Sequence, residues 1–142
     1  MAAACRRPDY MTPVPGLIVR RSTRSFAEAL AGAVGALQRA NVPLLATIDH
    51  SKTAAKAGLS LRPTTVLIFG NPKGGTPLMR VLPTSAIELP LKLLVWEDPA
   101  AGVWLAADDP EWIAERHGSG APHPELIAPL QALTEQVLLS AA

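Results

Sequence analysis

The sequence predicts an α+β fold: a single two-layer sandwich in which a mixed or antiparallel sheet of about five strands is packed by helices. Three observations carry this. Strand-like and helix-like stretches alternate over the first half of the chain, which asks for one sheet covered by helices. Leu91–Glu97, the turn Asp98–Gly102 and Val103–Ala106 then read as a hairpin, which requires at least one antiparallel pair. Thr64–Phe69 is apolar on both of its faces, Val66 and Ile68 against Leu67 and Phe69, as suits a central strand covered on both sides.

The elements follow in order. Residues 1–16, with Pro13, Pro15 and Gly16 at their end, read as a flexible N-terminal tail, and residues 17–142 as the single domain. Leu17–Arg20 is the first strand. Ser25 and Glu28 have the spacing of a capping box, and Phe26, Leu30, Ala33, Val34 and Leu37 place one apolar stripe on the helix that follows. Asn41 can stop that helix in the left-handed region. Leu44–His50 is a strand whose period of two puts His50 at the end of the more apolar row. Ser51 is expected to cap a short helix closed by Gly58. After Thr64–Phe69, Thr76 is expected as an N-cap with Pro77 at the first helical position, the helix running to about Leu82 and stopping at Pro83. Asp109 and Pro110 repeat that arrangement ahead of Trp112 and Ile113, and Gly118 closes it. Leu126, Leu130, Leu133, Val137 and Leu138 mark the last helix, which Pro129 should kink or begin.

Composition narrows the function. The 142 residues suit one domain, and 49% hydrophobic with only 4% aromatic residues implies a core of aliphatic side chains. Few aromatics speak against a flavin or haem box, and no cofactor is expected. Thirteen basic and twelve acidic residues are dispersed to a net charge of +1, so there is no electrostatic footprint for nucleic acid. Arg6, Arg7, Arg20, Arg21 and Arg24 read as a solvated tail and strand end. Cys5 stands alone, which excludes a disulfide framework. No apolar run reaches the ~18 residues of a membrane span, and the first residues lack the apolar region of a signal peptide, so a cytoplasmic location is expected.

The chemically informative stretch is Gly70–Met79. A strand ending in glycine before a helix start gathers unpaired amides that can face an anion. Gly70 to Thr76 follows the phosphate-loop pattern in part, yet the lysine that should follow the second glycine is missing, with Lys73 inside the loop instead. A structural turn that caps a helix explains the stretch better, since the missing lysine is the one that would reach the terminal phosphates. His50 is a candidate titrating group where a strand meets a helix start, or else a histidine satisfied by a backbone carbonyl. His117 reads as a cation complementing a helix C-terminus, and His123 as a loop residue. No pair has metal-ligand spacing, so no metal is expected, and no nucleophile elbow is present.

Ile48-Asp49-His50, Gly58, Leu61-Arg62-Pro63, Phe69 to Lys73 and Gly75 to Met79 together resemble the family called domain of unknown function 302. Leu89 to Lys92 and Arg116-His117-Gly118 extend the likeness to about residues 17–140. The resemblance implies a small soluble α+β sandwich, a homodimer, and proximity of His50 to the Asn71–Met79 segment. Two positions depart from the family pattern: Gly74, where a larger apolar residue is usual, and Ala107-Asp108, where an aromatic and a polar residue are.

These readings converge on a small-molecule binding or sensing domain whose apolar pocket is edged by His50, Asn71, Lys73, Thr76 and Met79. The competing readings are an enzyme using His50 as general acid or base, with Lys73 or the amides near Thr76 steadying an anion, and a dimeric protein-interaction module.

Overall fold

A hairpin and a meander generate the sheet of this computed structural model, which describes residues 13–118 and 123–142. Strands β1 (Leu17–Ser22), β2 (Leu44–Asp49), β3 (Thr64–Phe69), β4 (Leu91–Asp98) and β5 (Gly102–Asp108) lie in the order β1-β5-β4-β3-β2. Every neighbouring pair is antiparallel, which settles the mixed-or-antiparallel expectation in favour of the second. The first two strands in sequence are the two edges, so helix α1 (Phe26–Arg39) must carry the chain across the full width of the sheet.

One face of the sheet holds the core. Thr65, Leu67 and Phe69 of β3, Leu91, Leu93 and Val95 of β4, and Val103, Leu105 and Ala107 of β5 are all buried there. They lie beneath α1 and the long helix α5 (Pro124–Ala141), whose Val137, Leu138 and Ala141 join the same cluster. Helices α3 (Pro72–Val81) and α4 (Pro110–His117) add Leu78 and Ile113 at its ends. The other face carries Val66, Ile68, Leu94 and Trp96, none of them fully buried. The expectation that β3 is covered on both sides is therefore corrected. Its apolar outer row faces a sheet surface without a matching layer of buried side chains.

The amphipathic stripe of α1 is rotated from its expected place. Ala29, Ala33, Ala36 and Leu37 are fully buried, whereas Phe26, Leu30 and Val34 are only half-buried. Close approach of α5 explains this: a Cβ on Gly32 would stand 2.0 Å from the Ser140 carbonyl oxygen, so the contact surface must be made of small residues. The capping box forms as expected, with the Glu28 amide donating to Ser25 Oγ and the Ser25 amide to Glu28 Oε2 at 3.2 and 2.9 Å. Asn41, at φ 56°, takes the left-handed stop.

Three helix starts differ from expectation or needed the structure to settle. Asp49, not Ser51, caps α2 (His50–Lys56), its Oδ1 accepting from the Lys52 amide at 2.9 Å, and His50 is the first helical residue, not the last of a strand. Asn71 caps α3 with Pro72 at N1, so Thr76 is mid-helix and Pro77 lies inside the helix. Pro72 and Pro77 both follow residues that can cap, and it is the Asn71 side chain that does so, its Oδ1 accepting from the Lys73 amide at 3.0 Å. Helix α5 begins at Pro124 and runs through Pro129, which is not its start.

Residues 1–12, with Cys5, Arg6 and Arg7, lie outside the described residues. Pro13–Gly16 are part of the fold: the Leu17 amide donates to the Val14 carbonyl and the Asp109 amide to that of Gly16, each at 3.0 Å. Gly16 sits at φ 84° against the Trp112 ring, where a Cβ would come within 2.7 Å. Among the described residues no helix is long and apolar enough to cross a membrane.

Candidate functional site

An open cleft of about 840 Å³ lies where α3, the C-terminal end of α1, the start of β2 and the middle of α5 meet. That size falls within the usual span of small-molecule sites. Val42 and Leu45 form one end, Leu89 and Leu91 the floor, and Leu130 and Leu133 the far wall. Asn71, Lys73, Thr76 and Met79 line the remaining wall, so four of the five expected site residues share one cavity. Among the described residues Gln136 is the one other lining side chain with a polar end group.

Local sequence explains the shape. Asn71-Pro72 starts α3 right after β3, which sets its first turn at the end of that internal strand. Gly74 and Gly75 then keep that turn slim: a Cβ on the first would lie 3.4 Å from Leu130 Cδ2, and one on the second 3.5 Å from Leu89 Cδ1. A larger side chain at either position would project toward α5 or the floor and take up cleft volume.

The amide cradle suggested by the glycines is not formed. The Lys73 amide donates to Asn71 Oδ1 at 3.0 Å, and the Gly74 and Gly75 amides both donate to the Asn71 carbonyl at 2.9 and 3.2 Å. These donors are engaged inside the helix start, so the partial phosphate-loop pattern belongs to a capped helix. Polar recognition in the cleft therefore falls to side chains: the Asn71 amide nitrogen, the Lys73 ammonium, the Thr76 hydroxyl and Gln136.

His50 is elsewhere. Antiparallel pairing sets Leu44 opposite Phe69 and Asp49 opposite Thr65, so β2 runs away from Gly70 as it approaches His50. Five strand steps put His50 roughly 17 Å from the cleft end of β2. It is exposed, does not line the cleft, and the proximity to Asn71–Met79 that the resemblance implied is corrected.

A second polar group, not foreseen, joins the turn before β4 to the end of α4. His117 Nδ1 lies 2.9 Å from Thr84 Oγ1 and its Nε2 3.3 Å from Glu88 Oε1. Arg116 pairs with the same carboxylate and stacks over Trp112, 5.4 Å from the ring centroid. Lys92 Nζ donates to the Glu88 carbonyl and stands 3.2 Å from Asp108 Oδ2. Burial holds the Asp108 carboxyl above its ordinary range, against the pull of Lys92 and with a further push from Glu88. The His117 side chain is only 8% exposed, so it is a tether between segments and not a solvated dipole partner. Sequence spacing could not reveal it, because its partners lie 33 and 29 positions earlier. Among the described residues no group of three or more His, Cys, Asp or Glu converges as a metal site.

Comparison with known proteins gives three findings. Residues 18–137 match the family described as Domain of unknown function DUF302. A stretch of 105 residues is 39% identical to a protein named "Fluoride-specific ion channel FluC 1" in Brucella suis biovar 1, covering 74% of this chain and 41% of that one. The Brucella abortus biovar 1 protein of the same name is 39% identical over the same length, with 39% of it covered. The match thus spans about two fifths of these relatives. The crystal structure of an uncharacterised conserved DUF302 protein from Bacillus stearothermophilus superposes with a TM-score of 0.76 at 14% identity, over 91% of this chain and all of that one, a likeness of fold.

Proposed function

Because the chain belongs to the DUF302 family, whose description assigns no activity, we propose its function from the cleft: it is a small-molecule binding or sensing domain. The observation that carries this is the cleft of about 840 Å³ whose walls are mainly aliphatic while Asn71, Lys73, Thr76 and Gln136 supply a few polar groups. An enzymatic reading built on His50 lacks its main requirement, since that side chain is remote from this cavity.

A thermal-shift screen followed by amide chemical-shift mapping tests the reading. Ligands that raise the melting temperature should shift amides of Lys73–Met79, Leu89 and Leu133 and leave those around His50 unchanged. If no compound stabilises the protein, or if shifts gather away from α3 and α5, the reading falls.

The Brucella relatives support a second reading at the level of context. There a stretch similar to this chain occurs within a longer protein named as a fluoride channel, while no described helix of this chain can cross a membrane. We propose that the domain acts outside the bilayer and couples ligand occupancy to a membrane partner of that kind. Fluoride efflux from vesicles holding the Brucella suis channel, its matching stretch deleted, should change when this chain is added. An efflux rate indifferent to the added chain would remove the coupling idea.

A further inference from the structure

We propose that the cleft takes an elongated amphipathic anion from solution: an apolar chain ended by one carboxylate or phosphate. This rests on the cleft-binding reading above and names its ligand class. Aliphatic side chains from three separate segments, Val42 and Leu45, Leu89 and Leu91, and Leu130 with Leu133, line the cleft. Such a lining takes a flexible apolar body and offers nothing to a polar one.

The charge balance of the lining sets the sign of the head. Among the described residues Lys73 is its one charged side chain, and none of them brings a carboxylate to the lining. Among the described residues the Lys73 ammonium has no hydrogen-bond or ion-pair partner. Thr76 lies one helical turn on, where a hydroxyl donor reaches the same wall. Asn71 Oδ1 is occupied by its cap, which leaves the side-chain amide nitrogen, a donor, to face a ligand. The polar rim is thus rich in donors and positive, matched by a group that accepts hydrogen bonds and carries negative charge. Gly74 and Gly75 keep space beside Leu130 and Leu89 that side chains would otherwise fill.

Calorimetric titration with decanoate, decanol and decyltrimethylammonium, each below its self-association concentration, tests the class. Decanoate should bind tightest and weaken with added salt, while decanol is insensitive to salt. Lys73→Met should weaken decanoate roughly 2- to 5-fold, as suits an exposed ion pair, and leave decanol unchanged. Gly75→Leu should plug the cleft and weaken both. If that variant does not fold, amide shifts in the wild-type chain on adding decanoate must still map to Lys73–Met79, Leu89 and Leu133. Decanol binding as tightly as decanoate, or decyltrimethylammonium binding equally, overturns the anion and leaves the cleft reading standing. Binding of none of the three overturns both. A decanoate affinity indifferent to Lys73→Met overturns the assignment of the head to that end. Sedimentation of the chain with phosphatidylglycerol vesicles would overturn solution as the source.

Discussion

His50 and His117 exchange roles between sequence and structure, and the reason is what each residue's neighbours are. His50 stood in a motif-rich stretch, but local order alone could not say that β2 points it away from the cleft. His117 looked bland because its partners, Thr84 and Glu88, arrive only through folding. Replacing His117 with Ala removes a side chain that is 8% exposed together with its contacts to Thr84 and Glu88, and should cost about 1 kcal/mol in urea unfolding. A loss below about 0.5 kcal/mol would deny the tether. Asp108 gives a pH signature. Its folded pKa is raised, chiefly by burial, so the unfolded chain releases that proton more readily. Its contribution is fully present below the unfolded value and is lost as pH rises through the folded one. The stability of wild type relative to Asp108→Asn should therefore fall from acidic toward neutral pH. A difference flat with pH would rule this out.

At the scale of elements, sequence order located every strand and helix except the single 3₁₀ turn at Pro83–Ile87, and mistook only how some of them begin. Both errors have one cause. A capping residue followed by proline or by a second capping residue occurs twice in close succession, at Asn71-Pro72 and Thr76-Pro77 and at Asp49 and Ser51, and propensity does not rank the two. The capping bonds do: Asn71 Oδ1 accepts from the Lys73 amide and Asp49 Oδ1 from the Lys52 amide, although α2 buries none of its side chains. The two starts make opposite predictions. With the helix beginning at Asn71, Asn71→Ala should cost about 1 kcal/mol and Thr76→Ala much less. Pro77→Ala should raise stability, by about 1 kcal/mol or more, because it restores an amide donor inside the helix. A neutral Pro77→Ala with a costly Thr76→Ala would return the start to Thr76. The rotated stripe of α1 has a related origin: the apolar period includes Ala33 but not Ala29 or Ala36, whose burial follows from how closely α5 approaches at Gly32 and Ser140.

For the whole molecule, strand order was beyond the sequence, since apolar period shows that strands pair but not which ones. The observed order leaves one sheet face without a helical layer, and there we propose a second copy of this chain. Cross-strand neighbours Val66 and Leu94 and the stacked pair Trp96 and Trp104, with ring centroids 6.4 Å apart, occupy its middle. Ile48, 38% exposed, and Leu17, 40% exposed, extend it to both edges. Four strand spacings by about five residue steps give a footprint on the order of 300 Å². A patch of that size is at the scale where interaction surfaces begin, and below that of a standard stable interface, so the dimer it supports is weak and depends on concentration. A two-fold arrangement suits it because both copies would offer the same apolar middle. Sedimentation velocity across a concentration series should show a monomer–dimer equilibrium that Leu94→Glu shifts to monomer. Ile48→Glu, on an exposed edge strand where folding is least at risk, should shift it in the same direction with the melting temperature nearly unchanged. A monomer at every concentration, or a dimer indifferent to both variants, would show that this face does not join two copies.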